Sequence, residues 1–224
     1  MYYADAKISV VIPCFNVKDQ IVGVVTEIPD FVSRIYVIDD CCPEQSVAFL
    51  QSACSDNRLE FVFHEKNKGV GGAMVSGYSA ALRDDMDIVV KVDGDGQMDP
   101  SLMPLFIEPI INGVADYTKG NRFFNLASLS QMPWLRIIGN AGLSLLTKVS
   151  SGYWDVVDPT NGYTAIHKDT LKELPLDKLD ERYFFESDML FRMNTLRAVV
   201  QDIPMDAKYA DETDLTSLSL LVLL

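Results

Sequence analysis

Four short apolar runs alternate with helical patterns in the first 93 residues, and this alternation constrains the fold more than any other feature. The runs are rich in Val and Ile and cover residues 8–12, 35–38, 59–63 and 88–92. Such alternation is typical of βα units that build a parallel sheet with helices on both faces. Strands buried on both faces need predominantly apolar runs, as these are. We therefore predict an α/β fold with a Rossmann-like, mostly parallel central sheet.

The second half of the chain has a looser pattern. Beyond residue 112 we expect mixed short elements, with helices near residues 134–149 and 186–196. In the first half, Asn16 is expected to cap the first helix. Because 224 residues suit one core and no biased linker divides them, we assign residues 1–210 to a single domain.

Charge and cysteine content restrict the partners and the compartment. The formal charge of −13 argues against nucleic acid, because phosphate backbones are bound mainly by clustered Lys and Arg. An acidic protein that binds an anionic ligand benefits from a divalent cation. The four cysteines include no CxxC pair, and no secretory signal is recognisable. These features predict a cytoplasmic protein.

The last ten positions are unusually apolar, because seven of them are Leu or Val. An exposed tail of this kind favours association or membrane contact. One hypothesis is that residues 211–224 are the start of a membrane segment that continues beyond this sequence. The alternative is a packed C-terminal strand or helix.

Two carboxylates follow directly after the fourth apolar run. Asp93 and Asp95 flank a glycine, and Gln97 adds an amide oxygen two residues later. Such oxygen ligands suit a hard divalent cation that bridges diphosphate oxygens and stabilises a leaving nucleoside diphosphate. The alternative is an acidic turn in which Asp99 caps the next helix. The position after a buried strand favours the metal site, because ligands of open α/β sheets bind at the carboxyl ends of strands.

Three further patterns contain candidate ligand-binding residues, each with a structural alternative. Asp39 and Asp40 end the second run and can accept hydrogen bonds from a nucleobase or a ribose, or can form a capped turn. The glycine-rich segment around Gly69 can approach an anion, or can be a close-packed turn. Glu186 and Asp188 begin a predicted helix, where an acid can act as a general base or simply favour the helix N-terminus.

Taken together, these motifs resemble glycosyltransferase family 2, whose members share the GT-A fold. The likeness extends from Ile8 to about Tyr209. The Asp-x-Asp-x-Gln form is similar to that of the polyprenyl-phosphate sugar synthases and implies that Asp93, Asp95 and Gln97 bind Mg²⁺ or Mn²⁺. The positions that match the family's nucleotide-sugar site are Pro13, Asn16, Asp39, Asp40, Asn67, Gly69 and Asp93.

The resemblance also implies residues for the reaction and its acceptor. Arg122 and Arg136 correspond to arginines near phosphates, and Asp188 to an acid that orients the acceptor or acts as base. Glu186 stands where the lipid-phosphate branch has an amide, and Cys41 and Cys42 replace the usual Gly-Ser after the Asp pair. The expected acceptor-side residues are Asn161, Gly162, Tyr163 and Glu186.

These motifs and the apolar tail predict an inverting transfer of a sugar from a UDP- or GDP-linked donor to a polyprenyl phosphate, at the inner face of the membrane. Transfer to a sugar hydroxyl in cell-surface polysaccharide synthesis is the nearest alternative. A sugar-phosphate nucleotidylyltransferase is disfavoured, because the chain lacks an N-terminal Gly-rich loop with Arg and Lys. A non-catalytic sugar-nucleotide binder is disfavoured by the complete set of acidic residues.

Overall fold

The computed structural model describes residues 6–124 and 134–205, and within them a seven-stranded sheet forms the core. The strands are β1 (Ile8–Cys14), β2 (Arg34–Asp39), β3 (Leu59–Phe63), β4 (Ile88–Lys91), β5 (Tyr117–Asn121), β6 (Thr164–His167) and β7 (Val200–Pro204). The helices are α1 (Ile21–Glu27), α2 (Ser46–Ala53), α3 (Gly69–Arg83), α4 (Met103–Ile111), α5 (Trp134–Ser151), α6 (Lys168–Glu173) and α7 (Phe185–Leu196).

The strands lie in the order β3-β2-β1-β4-β6-β5-β7, and the predicted mostly parallel sheet is confirmed. Parallel pairs join β1 to β2 and β4, β2 to β3, and β5 to β7. Strand β6 is antiparallel to both of its neighbours, β4 and β5. As a result, the beginning of β6 lies at the same edge of the sheet as the end of β4: Thr164 is paired with Lys91.

Helices cover both faces of the sheet, as predicted. Alternate side chains of β1 point to opposite faces. Val10 and Ile12 belong to the buried cluster that includes α1, α2 and α4, whereas Val11 belongs to the cluster that includes α3 and α7. Helix α3 lies close to the sheet because Gly77 faces β1, and a Cβ atom built on Gly77 would be 2.2 Å from Val11 Cγ1.

Two local expectations about β1 and its connection are wrong. The strand does not stop before Pro13 but continues to Cys14. Strand β4 ends opposite Val11, so the missing N–H of Pro13 falls where β1 extends past this neighbour. Asn16 does not cap α1, because the helix begins only at Ile21 and Asn16 lies in the preceding turn with a φ of 56°.

The expected helices of the second half are confirmed as α5 and α7. Within the described residues, no helix has the length and apolar character needed to cross a bilayer. The apolar tail, residues 211–224, and the proposed domain end at residue 210 lie outside the described residues.

Candidate active site

The turn after β4 carries the predicted metal ligands: Asp93 is half-buried, and Asp95 and Gln97 are exposed. The Asp93 N–H donates to Met98 Sδ at 3.3 Å, and the Gln97 N–H donates to Asp95 Oδ1 at 3.0 Å. Gly96 allows the turn to reverse, because its φ is +76°. The side chain of Asp99 accepts from the Ser101 N–H at 3.0 Å, so the expected capping by Asp99 is also present.

The oxygen atoms that this turn offers as ligands suit a hard divalent cation. Hydrogen bonds from the described residues engage one carboxylate oxygen of Asp93 and one of Asp95. No group of three His, Cys, Asp or Glu side chains is assembled for a metal within the described ranges. Two carboxylates and the Gln97 amide oxygen would therefore supply the protein ligands. This suits Mg²⁺ or Mn²⁺, which take oxygen ligands and commonly complete their shell with substrate phosphates and water.

A buried lysine connects Asp93 to the start of α7. The side chain of Lys91 is 1% exposed, and its Nζ lies 2.7 Å from Asp93 Oδ1 and 3.3 Å from Glu186 Oε1. Burial alone would lower the pKa of the Lys91 ammonium, but the attraction of Asp93 and Glu186 outweighs it and raises that pKa. Lys91 is therefore a charged group, held between carboxylates of two different elements.

The turn before β6 closes over this ion pair. A Cβ atom built on Gly162 would lie 2.4 Å from Lys91 Nζ and 2.5 Å from Asp93 Oδ2, so only glycine permits this approach. Asn161 is buried, and its Oδ1 accepts from the Tyr163 N–H at 2.9 Å. Gly162 therefore lies directly against Asp93, and the Asn161 side chain orders the turn that contains Gly162.

Tyr163 corrects one expectation about the acceptor side. Its side chain is fully buried and stacks on Phe106, with ring centroids 4.0 Å apart. It packs in the core between the sheet and α4, and does not form part of an exposed acceptor surface.

Arg122 follows β5 and holds the other end of the turn before β6. Its Nε and Nη2 lie 2.7 Å and 2.9 Å from the two carboxylate oxygens of Asp158, which is fully buried. A bidentate pair of this kind fixes the plane of the guanidinium group. The side chain is 31% exposed, and its Nη2 also lies 3.4 Å from Thr160 Oγ1. Arg136 lies on α5, but its side chain is outside the described part of the structure, and its role stays a prediction.

A second buried lysine lies in the same row of the sheet as Lys91. Thr164 of β6 pairs with Lys91 on one side and with Lys119 of β5 on the other. The Lys119 ammonium donates to the backbone carbonyl of Asn161. Burial lowers the pKa of Lys119 to about 8, although Glu186 partly offsets this effect. Lys119 therefore supports the turn that faces Asp93.

Asp40 forms hydrogen bonds with neighbouring groups of the protein through both its carboxylate and its backbone carbonyl. One of its carboxylate oxygens bonds to His64 Nδ1 at 2.7 Å and accepts from the Lys68 N–H at 2.8 Å. The other accepts from the Gly69 N–H at 2.8 Å, and the backbone carbonyl accepts from Asn67 Nδ2 at 3.3 Å. Asp40, Asn67 and Gly69 are thus brought together as a scaffold. Their contact with a nucleotide stays a prediction, and it would require these groups to exchange a protein partner for the ligand.

The glycine-rich segment at the start of α3 is a close-packed turn, the alternative considered from the sequence. A Cβ atom on Gly71 would lie 2.0 Å from the carbonyl oxygen of Asp180, and one on Gly69 would lie 2.6 Å from that of Glu181. The Gly72 N–H donates to the same Glu181 oxygen at 3.0 Å. The glycines therefore let α3 contact the backbone that leads into α7.

The other residues predicted for the nucleotide site lie at or just after the ends of β1 and β2. Asp39 Oδ1 accepts from the Cys42 N–H at 2.8 Å, and the Asn16 N–H donates to Cys42 Sγ at 3.2 Å. The carbonyl oxygen of Pro13 would be 3.3 Å from a Cβ on Gly94. The ends of β1, β2 and β4 thus form one edge, as the general rule for α/β sheets requires.

The two acids at the start of α7 have different surroundings. Asp188 is 8% exposed, and its Oδ2 accepts from the Asp180 N–H at 2.9 Å and from Arg192 Nε at 3.0 Å. Glu186 instead reaches Lys91, and through it Asp93. Of these two acids, it is Glu186 that the described contacts join to the metal turn. The expected catalytic role of Asp188 stays a prediction.

Sequence reasoning missed three buried ionic residues, Lys91, Lys119 and Asp158. A signal for the first was present, because a lysine within an apolar strand must find a partner when the strand is buried. Its partner Glu186 is 95 positions away, and nothing in the local pattern indicates that pairing.

The family model described as Glycosyl transferase family 2 matches residues 9–175. The chain belongs to this family. It is 29% identical to a UDP-N-acetylglucosamine–dolichyl-phosphate N-acetylglucosaminyltransferase of Methanococcus voltae, over 93% of this chain and 88% of that protein. It is 27% identical to an undecaprenyl-phosphate mannosyltransferase of Micrococcus luteus, over 89% of this chain and 82% of that protein. The resemblance to the polyprenyl-phosphate branch of family 2 is confirmed.

A solved structure supports the GT-A fold of this glycosyltransferase. Glucosyl-3-phosphoglycerate synthase from Mycobacterium tuberculosis, in complex with Mn²⁺, UDP and phosphoglyceric acid, superposes with a TM-score of 0.70. The match covers 93% of this chain and 72% of the synthase at 18% identity. At this identity the match indicates a shared fold and not a shared activity.

Proposed function

We propose that this family 2 glycosyltransferase transfers a sugar from a nucleoside-diphosphate sugar to a polyprenyl phosphate, with inversion at the anomeric carbon. The observation that carries the proposal is the position of Asp93 and Asp95 at the end of β4, directly beside the turn before β6 and the start of α7. Both relatives named above act on polyprenyl phosphates, which supports the same acceptor class here.

On the donor side, we assign the nucleotide to the edge formed by Pro13, Asn16 and Asp39. The diphosphate would then lie near Asp93, Asp95 and Gln97, which would hold Mg²⁺ or Mn²⁺. When bound, the cation stabilises the charge of the departing nucleoside diphosphate. The residues themselves contribute by holding the donor in place, which lowers the entropic part of the barrier.

On the acceptor side, we assign the phosphate of the lipid to the space between Arg122 and Glu186. Arg122 offers a guanidinium already oriented by Asp158, and arginine suits phosphate geometry. A phosphate is anionic before it reacts and needs no strong base. Glu186, paired with Lys91, is therefore proposed to orient the acceptor and not to remove a proton.

An apolar face of α5 supports the proposal of a lipid-linked acceptor at the inner face of the membrane. Leu145, Leu146 and Val149 are all more than half exposed, and their spacing puts them on one side of the helix. Trp154, just beyond α5, is 62% exposed. Exposed apolar groups that lie together are typical of surfaces that meet a protein or a membrane.

The test is a transfer assay on the purified chain with undecaprenyl phosphate, Mn²⁺ and either UDP-N-acetylglucosamine or GDP-mannose. Mass spectrometry of the lipid fraction detects transfer, and NMR of the product shows whether the anomeric configuration is inverted. We expect one donor to be used, and we expect Asp95→Asn to lose at least about 100-fold in rate, as for removal of a group that stabilises the transition state. Asp169→Asn, a change in an exposed acid at the start of α6, is the matched control and should remain active.

Three results would contradict parts of the proposal. Transfer to a soluble glycan but not to the lipid would favour the polysaccharide alternative. Retention of configuration would exclude a single displacement. Full activity of Asp95→Asn would remove the metal assignment from this turn.

A further inference from the structure

Lys91 occupies a position that stability alone does not explain. It is 1% exposed in the central sheet, and its ammonium lies between Asp93 on its own strand end and Glu186 on α7. Burying an ion group of this kind is often no better for stability than well-packed apolar residues. The apolar neighbours Val89 and Val90 show that this strand accepts such residues.

The geometry of the three groups suggests what the lysine does. The contact at 2.7 Å engages Asp93 Oδ1, and Gly162 packs against Lys91 Nζ and Asp93 Oδ2. The rotation of the Asp93 carboxylate is therefore restricted from two sides. At the same time the 3.3 Å contact ties Glu186 to the same ammonium.

We propose that Lys91 is a positioning residue that sets the orientation of Asp93 for the metal and links that orientation to Glu186 on the acceptor side. This inference rests on the proposed function. Groups that hold metal ligands in place commonly change metal affinity by about 10–100-fold when they are removed. Loss of Lys91 should therefore weaken metal binding and not only slow turnover.

The net charge of the variants separates a positioning role of Lys91 from a purely electrostatic effect on the metal. Lys91→Met alone removes a positive charge near the metal, which on charge grounds would tighten cation binding. The double variant Lys91→Met/Glu186→Gln removes one charge of each sign and keeps the net charge of the site. It also avoids leaving both carboxylates, which are 31% and 13% exposed, without their shared cation, a change that on its own could prevent folding.

The experiment is calorimetric titration of Mn²⁺ into the full chain saturated with UDP, for the wild type, Glu186→Gln and the double variant. Lys168→Met is the matched control, because Lys168 bridges Asp85 and Asp87 at the opposite edge of the sheet with contacts of 3.1 Å and 2.6 Å. Thermal melting without metal gives the stability of each variant. The electron paramagnetic resonance spectrum of bound Mn²⁺ reports its ligand geometry.

We expect the double variant to bind Mn²⁺ at least about 10-fold more weakly than both the wild type and Glu186→Gln, with an altered Mn²⁺ spectrum. Lys168→Met should bind as the wild type does, even if its melting temperature falls. Equal affinities of the double variant and Glu186→Gln would overturn the role of Lys91 and leave the proposed function standing. A wild type that binds no Mn²⁺ in the presence of UDP would overturn both.

Discussion

Replacing Lys119 by Met should change how the stability of the protein depends on pH. In the folded chain, burial lowers the pKa of Lys119 from 10.5 to about 8. A lowered pKa of a base means that the folded state disfavours the charged form. The folded state therefore carries a penalty while the lysine is protonated, and this penalty disappears as the pH rises from the folded pKa to the unfolded one.

The size of the effect follows from that shift. Each pKa unit corresponds to about 1.4 kcal/mol, so the whole change is about 3 kcal/mol, most of it between pH 8 and pH 10. Urea unfolding at pH 7, 8, 9 and 10 would give the free energy of unfolding of the wild type and of Lys119→Met. Other groups titrate in both proteins, and the difference between the two isolates Lys119.

We expect the wild type to gain stability relative to Lys119→Met as the pH rises. The variant also loses the hydrogen bond to the Asn161 carbonyl, but this loss shifts the difference by a constant and leaves its pH dependence unchanged. Two parallel stability curves, or a gain of the variant with rising pH, would refute the argument that burial dominates the pKa of Lys119.

Three further substitutions test the packing of the core and of the helices. Gly77→Ala should lower the free energy of unfolding by about 1–3 kcal/mol, because the added Cβ overpacks against Val11. Gly23→Ala should raise it by about 0.5–1 kcal/mol, because no atom lies within 4 Å of the added Cβ. Equal effects of the two substitutions in urea unfolding would contradict the close approach of α3 to the sheet. Tyr163→Phe should be neutral or stabilising by about 1 kcal/mol, because the hydroxyl is buried without a hydrogen-bond partner among the described residues, and a clear loss of thermal stability would show that this hydroxyl has a partner.

The first half of the fold could be predicted from the sequence because its signals are local. Each strand from β1 to β4 contains a mainly apolar run, and Asp39 and Asp93 stand directly after two of these runs. Parallel strands with helical crossovers bring such ends to one edge, so the positions of these acids followed from the pattern.

The second half was less predictable because its contacts join residues that are remote in sequence. The pairing of Lys91 with Glu186 and of Arg122 with Asp158 depends on how β6 enters the sheet. The different surroundings of Glu186 and Asp188, two residues apart on one helix, depend on which side of α7 faces the sheet. Neither follows from local propensity or from the spacing of apolar residues.

The reversed direction of β6 has a consequence for how enzymes of this kind can diversify. The end of β5 and the start of β6 are neighbours at one edge, since Lys119 pairs with Thr164. The chain between them leaves the sheet and returns to it at the same place. Because this segment leaves and re-enters the sheet at neighbouring positions, we expect its length to vary without a change in the register of β1 to β4. With the acceptor bound as proposed above, a lineage can then change its acceptor while the strand ends that carry Asp39 and Asp93 stay the same.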